Sequence, residues 1–517
     1  MTFRSPFPVP RSPTHRVRSV LLDVAIIAGW LASVGMVVFH ERGSLWSGAV
    51  NPLASLRATL DVNEQWFGLY YQGQKIGYTH TALIPEERDG MPGVSVMERG
   101  RLSFTLLGLP QQVDLSARAF IDADWRLQQF VAELHADTNT FRWSGTRDGE
   151  HLVMTVKTLE SQYTTRLRDP GGSALVVGLS PWTAFHRLRE GQWGSAWILN
   201  PLALAPEQIY FHVRGREQLE GQEVLRVETD FRGMTTTSWV TPEGDVLREE
   251  SPLGWELIRE SQEEAIRVPT ATNTVDLIAA TAVPINRTFE YPERVTRLVC
   301  LIEGLAAEEF AVERPWQRVL PVEALAPYRA QPPTGAWCLL ELRRPRAPSA
   351  ASDMPNAVAR YRESSLFVQS DDARIQAQRK EILGDLTDPW QQTQALTQWV
   401  HRALAKRLTV GLPSATDVLA SRAGDCHEHT ILFTALARSA GLPTRMVAGL
   451  VYQGGRLYYH AWPEVWIGEW IPVDPTLGQA PADALHLGLL GAENEQLISL
   501  GQFIGQFQVR VLEAQEE

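Results

Sequence analysis

The sequence predicts an α+β protein: an antiparallel β-rich N-terminal region, a C-terminal core of helices and sheet, and a single N-terminal transmembrane helix. Three observations carry this reading. An apolar run fills residues 19–39, hairpin signals recur between about residues 60 and 262, and the hydrophobic period becomes helical after a Pro-, Ala- and Ser-rich stretch at 343–357. At 517 residues the chain exceeds what one hydrophobic core serves, so several domains are expected. Their boundaries fall at 1–18 for a cytoplasmic N-terminus, 19–39 for the transmembrane helix and 40–265 for a β-rich exported domain. A second β-rich region follows at 266–345, then a linker at 346–360 and a C-terminal domain at 361–517.

The run Ser19 to Phe39 is 21 residues long with one charge, Asp23. As a helix it spans roughly 31 Å, the thickness of a hydrocarbon core. Arg4, Arg11, Arg16 and Arg18 precede it without an acidic neighbour, a bias that keeps the N-terminus cytoplasmic and sends the rest across the inner membrane. A cleaved signal peptide is the rival, but "HERGSLWSGAV" offers only a weak cleavage site. Net charge is −12; the four arginines and Asp23 lie within the first 40 residues, so the remainder carries −15. That balance, with no basic face interleaved with aromatics, argues against nucleic acid and against anionic lipid surfaces as partners of the exported part.

In the β-rich region, "WFGLYYQGQKIGYTHTALI" reads as two strands around Gln72-Gly73-Gln74, while Asp148-Gly149 and Gly244-Asp245 mark further hairpins. No catalytic constellation is visible there, and a curved sheet or open barrel is expected. Residues 275–345 stay strand-like but broken by proline. Of three cysteines, Cys300 and Cys338 lie in strand-like apolar runs, as a cross-linked pair or as two buried thiols, which leaves Cys426 the odd one by context.

Beyond the linker, Asp388-Pro389 caps a helix whose buried stripe is Leu396, Trp399, Val400, Ala403 and Leu404. The stretch "AGDCHEHTILFTALARSAGLPTR" then sets Asp425 three residues before Glu428, the spacing of a capping box, with Ile431, Leu432, Ala435 and Leu436 as the buried stripe and Gly441 and Pro443 as the stop. Cys426 thus falls in the first helical turn, where free amides and the helix dipole favour a thiolate and a depressed thiol pKa is expected. Its backbone amide is also placed to donate to a developing oxyanion.

Thirty-four residues on, "YYHAWPEVWIGEWIPVDPT" brings His460 and Asp474 on what reads as a hairpin around Gly468. Cys, His and Asp in this order suit a thiol triad: the imidazole takes the thiol proton and returns it to the leaving group, while the carboxylate fixes the tautomer. Side-chain alternation makes a demand on the turn. A two-residue turn sets Asp474 opposite Pro463, on the wrong face; a three-residue turn, Ile467 to Glu469, sets it opposite Trp462, on the face of His460. The odd-length turn is therefore predicted.

These stretches, with "PSATDVLASRAGDC" before the cysteine and "GQAPADALHL" after the aspartate, resemble the bacterial membrane-anchored transglutaminase-like proteins of the papain-like thiol superfamily. The resemblance implies a papain-like α+β core over 361–517, with Cys426 as nucleophile, His460 as base and Asp474 as orienting acid. It implies acyl transfer through a Cys426 thioester on amide or peptide bonds, by hydrolysis or by crosslinking, on protein, peptide or cell-envelope material. Hydrolysis is favoured, since no quoted segment shields a thioester from water. No cofactor is required, and no acidic loop recommends calcium. The family's oxyanion-hole side chain has no clear counterpart, since Gln398 and Trp399 fall on or beside an apolar stripe.

Rival readings attach to several of these residues. A zinc site from Cys426, His427, His429 and His460 fits neither HExxH nor paired CxxC spacing, and adjacent helical positions do not converge. Glu428 and His429 read as cap and packing residues; Trp462, Trp466 and Trp470 as sheet core before substrate groove; Arg445 as a salt-bridged surface group before an anion contact. Asp483 and His486 form an isolated pair. A non-catalytic peptide- or cell-wall-binding module on the same scaffold is the alternative to an enzyme.

Overall fold

The computed structural model describes residues 63–517 apart from 107–108, 125, 137–138, 159–160, 170–173, 176–187, 201–204, 232–233, 269–274, 311–313, 347–354, 408–412 and 493–502. The apolar run at 19–39 lies outside the described residues. Among those described, no helix is long and apolar enough to cross a membrane.

The N-terminal half is a fifteen-stranded, almost wholly antiparallel sheet. Its first strand, Asn63–Tyr71, lies in the middle, between the second, Gln74–Arg88, and the fifteenth, Trp255–Glu260. Hairpins form where the sequence signals them: Gln72 and Gly73, both at positive φ, join the first two strands, and Gly149 (φ 61°) turns between Asn139–Asp148 and His151–Lys157. Alternation places Phe67, Leu69 and Tyr71 of the first strand and Leu102, Phe104 and Leu106 of the third, Met91–Leu106, in the core.

A four-stranded antiparallel sheet follows, built from Val295–Glu303, Gln317–Leu320, Trp337–Arg343 and the C-terminal strand Gln508–Glu516. The end of the chain thus returns to pair with Val295–Glu303, so this sheet draws on both sides of the linker. Cys300 and Cys338 sit on neighbouring strands, Cys338 opposite Ile302, and both thiols are free.

The third sheet, five-stranded, is the floor of the C-terminal core. It runs Val283–Pro284, Arg456–Trp466, Thr444–Gln453, His486–Ala492, with the short strand Trp470–Pro472 also on Arg456–Trp466. Helices Ala373–Leu383, Pro389–Ala403, Ala415–Ser421 and Cys426–Ser439 pack around it. Asp388 caps the second of these through the Gln391 amide, and Leu396 and Val400 are fully buried, as their spacing predicts. The cysteine helix, Cys426–Ser439, is buried from His427 to Arg438 and pinned by Thr430 Oγ1, which donates to the Ala461 carbonyl at 3.1 Å.

The N-terminal sheet meets the C-terminal core at a polar seam, among other contacts. Beyond strand His151–Lys157, Thr158 Oγ1 donates to both Asp417 oxygens at 2.9 Å, and Ser161 Oγ bonds Thr416 Oγ1 at 2.8 Å. The helix they touch, Ala415–Ser421, leads directly into the cysteine helix.

Candidate active site

Cys426 is the first residue of its helix, and the capping box is complete. The Asp425 side chain accepts from the His427 and Glu428 amides, and Glu428 Oε2 accepts from the Asp425 amide at 2.8 Å. His429 returns to the same turn through Nδ1, 2.5 Å from the Asp425 carbonyl. Burial lowers the His429 pKa, which favours the neutral ring, and its buried Nε2 has no hydrogen-bond partner among the described residues.

One expectation is overturned at this helix end. The Cys426 thiol is pushed well above the usual thiol range rather than depressed. Burial of the sulfur is the largest cause, although the residue as a whole keeps some exposure, and the charge of Asp425 is the next. A bond with the Ala461 backbone pulls the other way, and Glu428 and Asp474 add further negative potential. The side chain that caps the helix takes up first-turn amides that would otherwise stabilise a thiolate, and brings a carboxylate beside the sulfur. Position in the helix was legible from sequence; the sign of the local field was not.

His460 lies on the strand Arg456–Trp466, one residue before the Ala461 that both Cys426 and Thr430 contact. The predicted three-residue turn is present. Trp466 pairs with Trp470, Ile467 donates to the Glu469 carbonyl at 3.0 Å, and Gly468 takes φ 85°. The register Glu464–Pro472 carries Asp474 to the level of Trp462, on the face of His460. There His460 Nε2 meets Asp474 Oδ2 at 2.7 Å, with both residues buried. Nδ1 is then the imidazole nitrogen turned away from that carboxylate.

Asp474 is fully buried and saturated. Oδ1 accepts the amides of Thr476 (2.7 Å) and Leu477 (3.0 Å), while Oδ2 accepts from His460 and from His486 Nε2 at 3.1 Å. Burial alone would raise its carboxyl; the charge and N–H groups of the two histidines outweigh it and hold it well below the usual carboxylate range. The loop that follows is clamped by the helix Pro389–Ala403. Gln398 Nε2 donates to the Gly478 carbonyl at 2.7 Å, and His401 Nδ1 lies 3.0 Å from the Thr476 carbonyl. Gln398 therefore holds the aspartate loop, and Trp399 stacks under the Arg422 guanidinium at 4.7 Å.

Two residues read from sequence as an isolated pair belong here. His486 Nδ1 bonds Asp483 Oδ1 at 2.9 Å, so His460, Asp474, His486 and Asp483 form one buried chain. The local Asp-x-x-His spacing at the start of an apolar strand was the only signal; the link to Asp474 needs the sheet. Burial would lower the His486 pKa, but Asp483 and Asp474 push it up to about 10. One nitrogen each of His460 and His486 and one oxygen of Asp474, all within 4.8 Å of one another, are also the donor set among the described residues that could hold a metal, and not the cysteine-centred set weighed from sequence. Each nitrogen stands at hydrogen-bond distance from the shared oxygen, an arrangement that protons satisfy.

Trp462 is fully buried between the imidazoles, 6.0 Å from His460 in a stack and 5.1 Å from His486 edge-on. Arg445 is ion-paired, though buried rather than at the surface: Nε reaches Glu464 Oε2 at 2.5 Å, and the guanidinium lies 4.2 Å from the Trp470 ring centroid.

Residues 376–475 match the transglutaminase-like superfamily, an interval that holds Cys426, His460 and Asp474 and ends before Asp483 and His486. The chain carries a transglutaminase-like domain. With the fifteen-stranded sheet it makes an α+β protein of large N-terminal antiparallel sheet and C-terminal transglutaminase-like core. No curated protein matches the chain significantly. Among solved structures, a candidate cysteine protease from Cytophaga hutchinsonii is similar at 16% identity over 43% of this chain and 86% of its own, TM-score 0.27. A β-barrel-like protein from Brucella abortus, of a domain family of unknown function, is similar at 11% identity over 38% and 94%, TM-score 0.27. A candidate protease from Parabacteroides distasonis is similar at 9% identity over 78% and 68%, TM-score 0.20.

Proposed function

We propose that this protein is a membrane-anchored thiol acyltransferase acting on the periplasmic side, which opens amide or peptide bonds of protein or cell-envelope material through a thioester on Cys426. The observation that carries the reading is the buried 2.7 Å bond from His460 Nε2 to Asp474 Oδ2, one residue from the Ala461 backbone that Cys426 touches. The anchor and its orientation rest on the apolar run at 19–39 and the arginines before it.

The raised thiol pKa defines the first step. Sulfur attacks the carbonyl as His460 Nδ1 takes its proton, so attack and deprotonation are coupled instead of starting from a standing thiolate. The Asp425 side chain occupies the His427 and Glu428 amides, which leaves the Cys426 amide as the first-turn donor for the oxyanion. His460 then protonates the departing amine, and the C–N bond breaks to give the thioester. Water, deprotonated by His460, completes hydrolysis and restores the thiol; a primary amine in its place gives crosslinking. Hydrolysis is favoured, because water at ~55 M is held off only by an amine of very high effective concentration.

The test is digestion of a denatured protein substrate by the full-length chain, with and without a fluorescent primary amine, alongside Cys426→Ala and His460→Ala. Cleavage that disappears in both variants supports hydrolysis, and amine incorporation that outruns cleavage moves the activity to crosslinking. A Cys426→Ala chain as active as the parent sinks the proposal. The raised thiol also favours a second reading, a non-catalytic binding module, for which Cys426 would resist alkylation until the protein unfolds.

A further inference from the structure

We propose that Asp483 and His486 are a positioning pair for the transglutaminase-like site, holding Asp474 in the orientation that His460 requires. The inference rests on the catalytic reading of Cys426, His460 and Asp474, and extends it to two residues beyond the matched interval.

The argument starts from lone pairs. A carboxylate that orients a histidine is useful only if it cannot rotate away. Oδ1 of Asp474 is fixed by two backbone amides, but Oδ2 faces His460 with one further acceptor direction, and His486 Nε2 fills it at 3.1 Å. His486 is itself fixed from behind: Nδ1 meets Asp483 Oδ1 at 2.9 Å, and the same oxygen accepts the Leu485 amide at 2.9 Å. Gln479 closes the arrangement, donating from Nε2 to Asp483 Oδ2 at 2.8 Å and accepting the Asp483 amide at 3.0 Å. Asp474 and Gln479 exchange two backbone bonds of 2.8 and 2.9 Å, so one loop carries both acids at fixed separation. Trp462 fills the space between the two imidazoles.

A purely structural site has no need of this chemistry. Two carboxylates and an imidazole, each at most 5% exposed, incur a desolvation cost that an apolar side chain at 486 would avoid. The strand around it supplies the contrast: Leu487, Leu489 and Leu490 are apolar and buried. Partners that orient a metal-ligating histidine from outside its shell typically contribute 10–100-fold in affinity or activity, and the lower end of that range is the scale expected for an analogous brace on Asp474.

The experiment measures iodoacetamide labelling of Cys426 at pH 8 in the full-length chain, with thermal unfolding of each variant recorded beside it. His486→Gln places an amide donor where Nε2 stood, facing Asp474; His486→Asn places one where Nδ1 stood, facing Asp483; His486→Phe places none. Labelling within about twofold of the parent for His486→Gln, and slower by about tenfold for His486→Asn and His486→Phe, is the expected pattern. Equal rates in all three variants, whether fast or slow, overturn the positioning role, because a packing role does not distinguish the two amides. If His486→Phe fails to fold, the Gln and Asn variants carry the comparison alone. His460→Ala separates the premises: parental labelling in that variant removes the catalytic reading, whereas slow labelling there with unchanged labelling in the His486 variants removes only the positioning pair.

Discussion

Raising the pH from 7 to 8 should weaken this fold, and the weakening should depend on His486. The group is fully buried between Asp474 and Asp483 and pushed up to about 10, against ~6.5 for an imidazole in the unfolded chain. The folded state therefore holds a proton that the unfolded state releases. Stability from this group is fully present below about pH 6.5 and is lost as pH rises through about 10, at up to ~1.4 kcal/mol per unit. Between pH 7 and 8 the loss is about 1 kcal/mol, since an unfolded imidazole is still partly protonated at pH 7. Both flanking carboxyls are held low and stay ionised across the window. The raised thiol of Cys426 acts with the same sign but only near and above the ~8.5 of a free thiol, so stopping at pH 8 limits its share. Urea unfolding followed by tryptophan fluorescence at pH 6, 7 and 8, on the parent and on His486→Gln, measures the difference. Equal loss in the two proteins would refute a protonated His486 in the folded state.

Other perturbations test the surroundings of the site. Gly449 lies opposite His460, and a Cβ there would stand 2.0 Å from the Leu487 carbonyl oxygen and 2.8 Å from the Trp462 ring; Gly449→Ala should cost about 1–3 kcal/mol and slow Cys426 labelling, and unchanged unfolding would contradict the close packing. Glu464 is fully buried with Trp316 Nε1 at 2.7 Å, Arg445 Nε at 2.5 Å and Arg314 Nε at 3.7 Å; Glu464→Leu removes the carboxylate between two buried guanidinium groups and should cost about 3–5 kcal/mol, read as a fall in the urea midpoint. Thr158→Val removes the hydroxyl bonded to Asp417 at the seam and should cost about 1–3 kcal/mol, with no change in Cys426 labelling if the seam is structural alone. Asp474→Asn should slow labelling as strongly as His460→Ala, by loss of the tautomer that leaves Nδ1 free.

The hairpin turns, the caps and stops of the helices, and the meeting of His460 with Asp474 were legible in the sequence because their signals are local. Hairpin turns at Gln72-Gly73 and Gly149, the cap at Asp425 and Glu428, and the helix stop at Gly441 depend on residues within a few positions of one another. Strand parity extended this reach across one hairpin, enough to predict the three-residue turn and the shared face of His460 and Asp474. Two things lay beyond it. The ionisation of Cys426 is set by how deeply the sulfur is buried and by the acids around it, a sum over space in which burial leads and the nearby carboxylates add to it. The joining of His486 to Asp474 comes through the strand Thr444–Gln453, which pairs with both Arg456–Trp466 and His486–Ala492 and so brings the two histidines to one carboxylate. Local spacing encodes caps, turns and faces. Which charges share a buried oxygen is decided only when distant strands meet, because burial makes such contacts strong enough to set protonation.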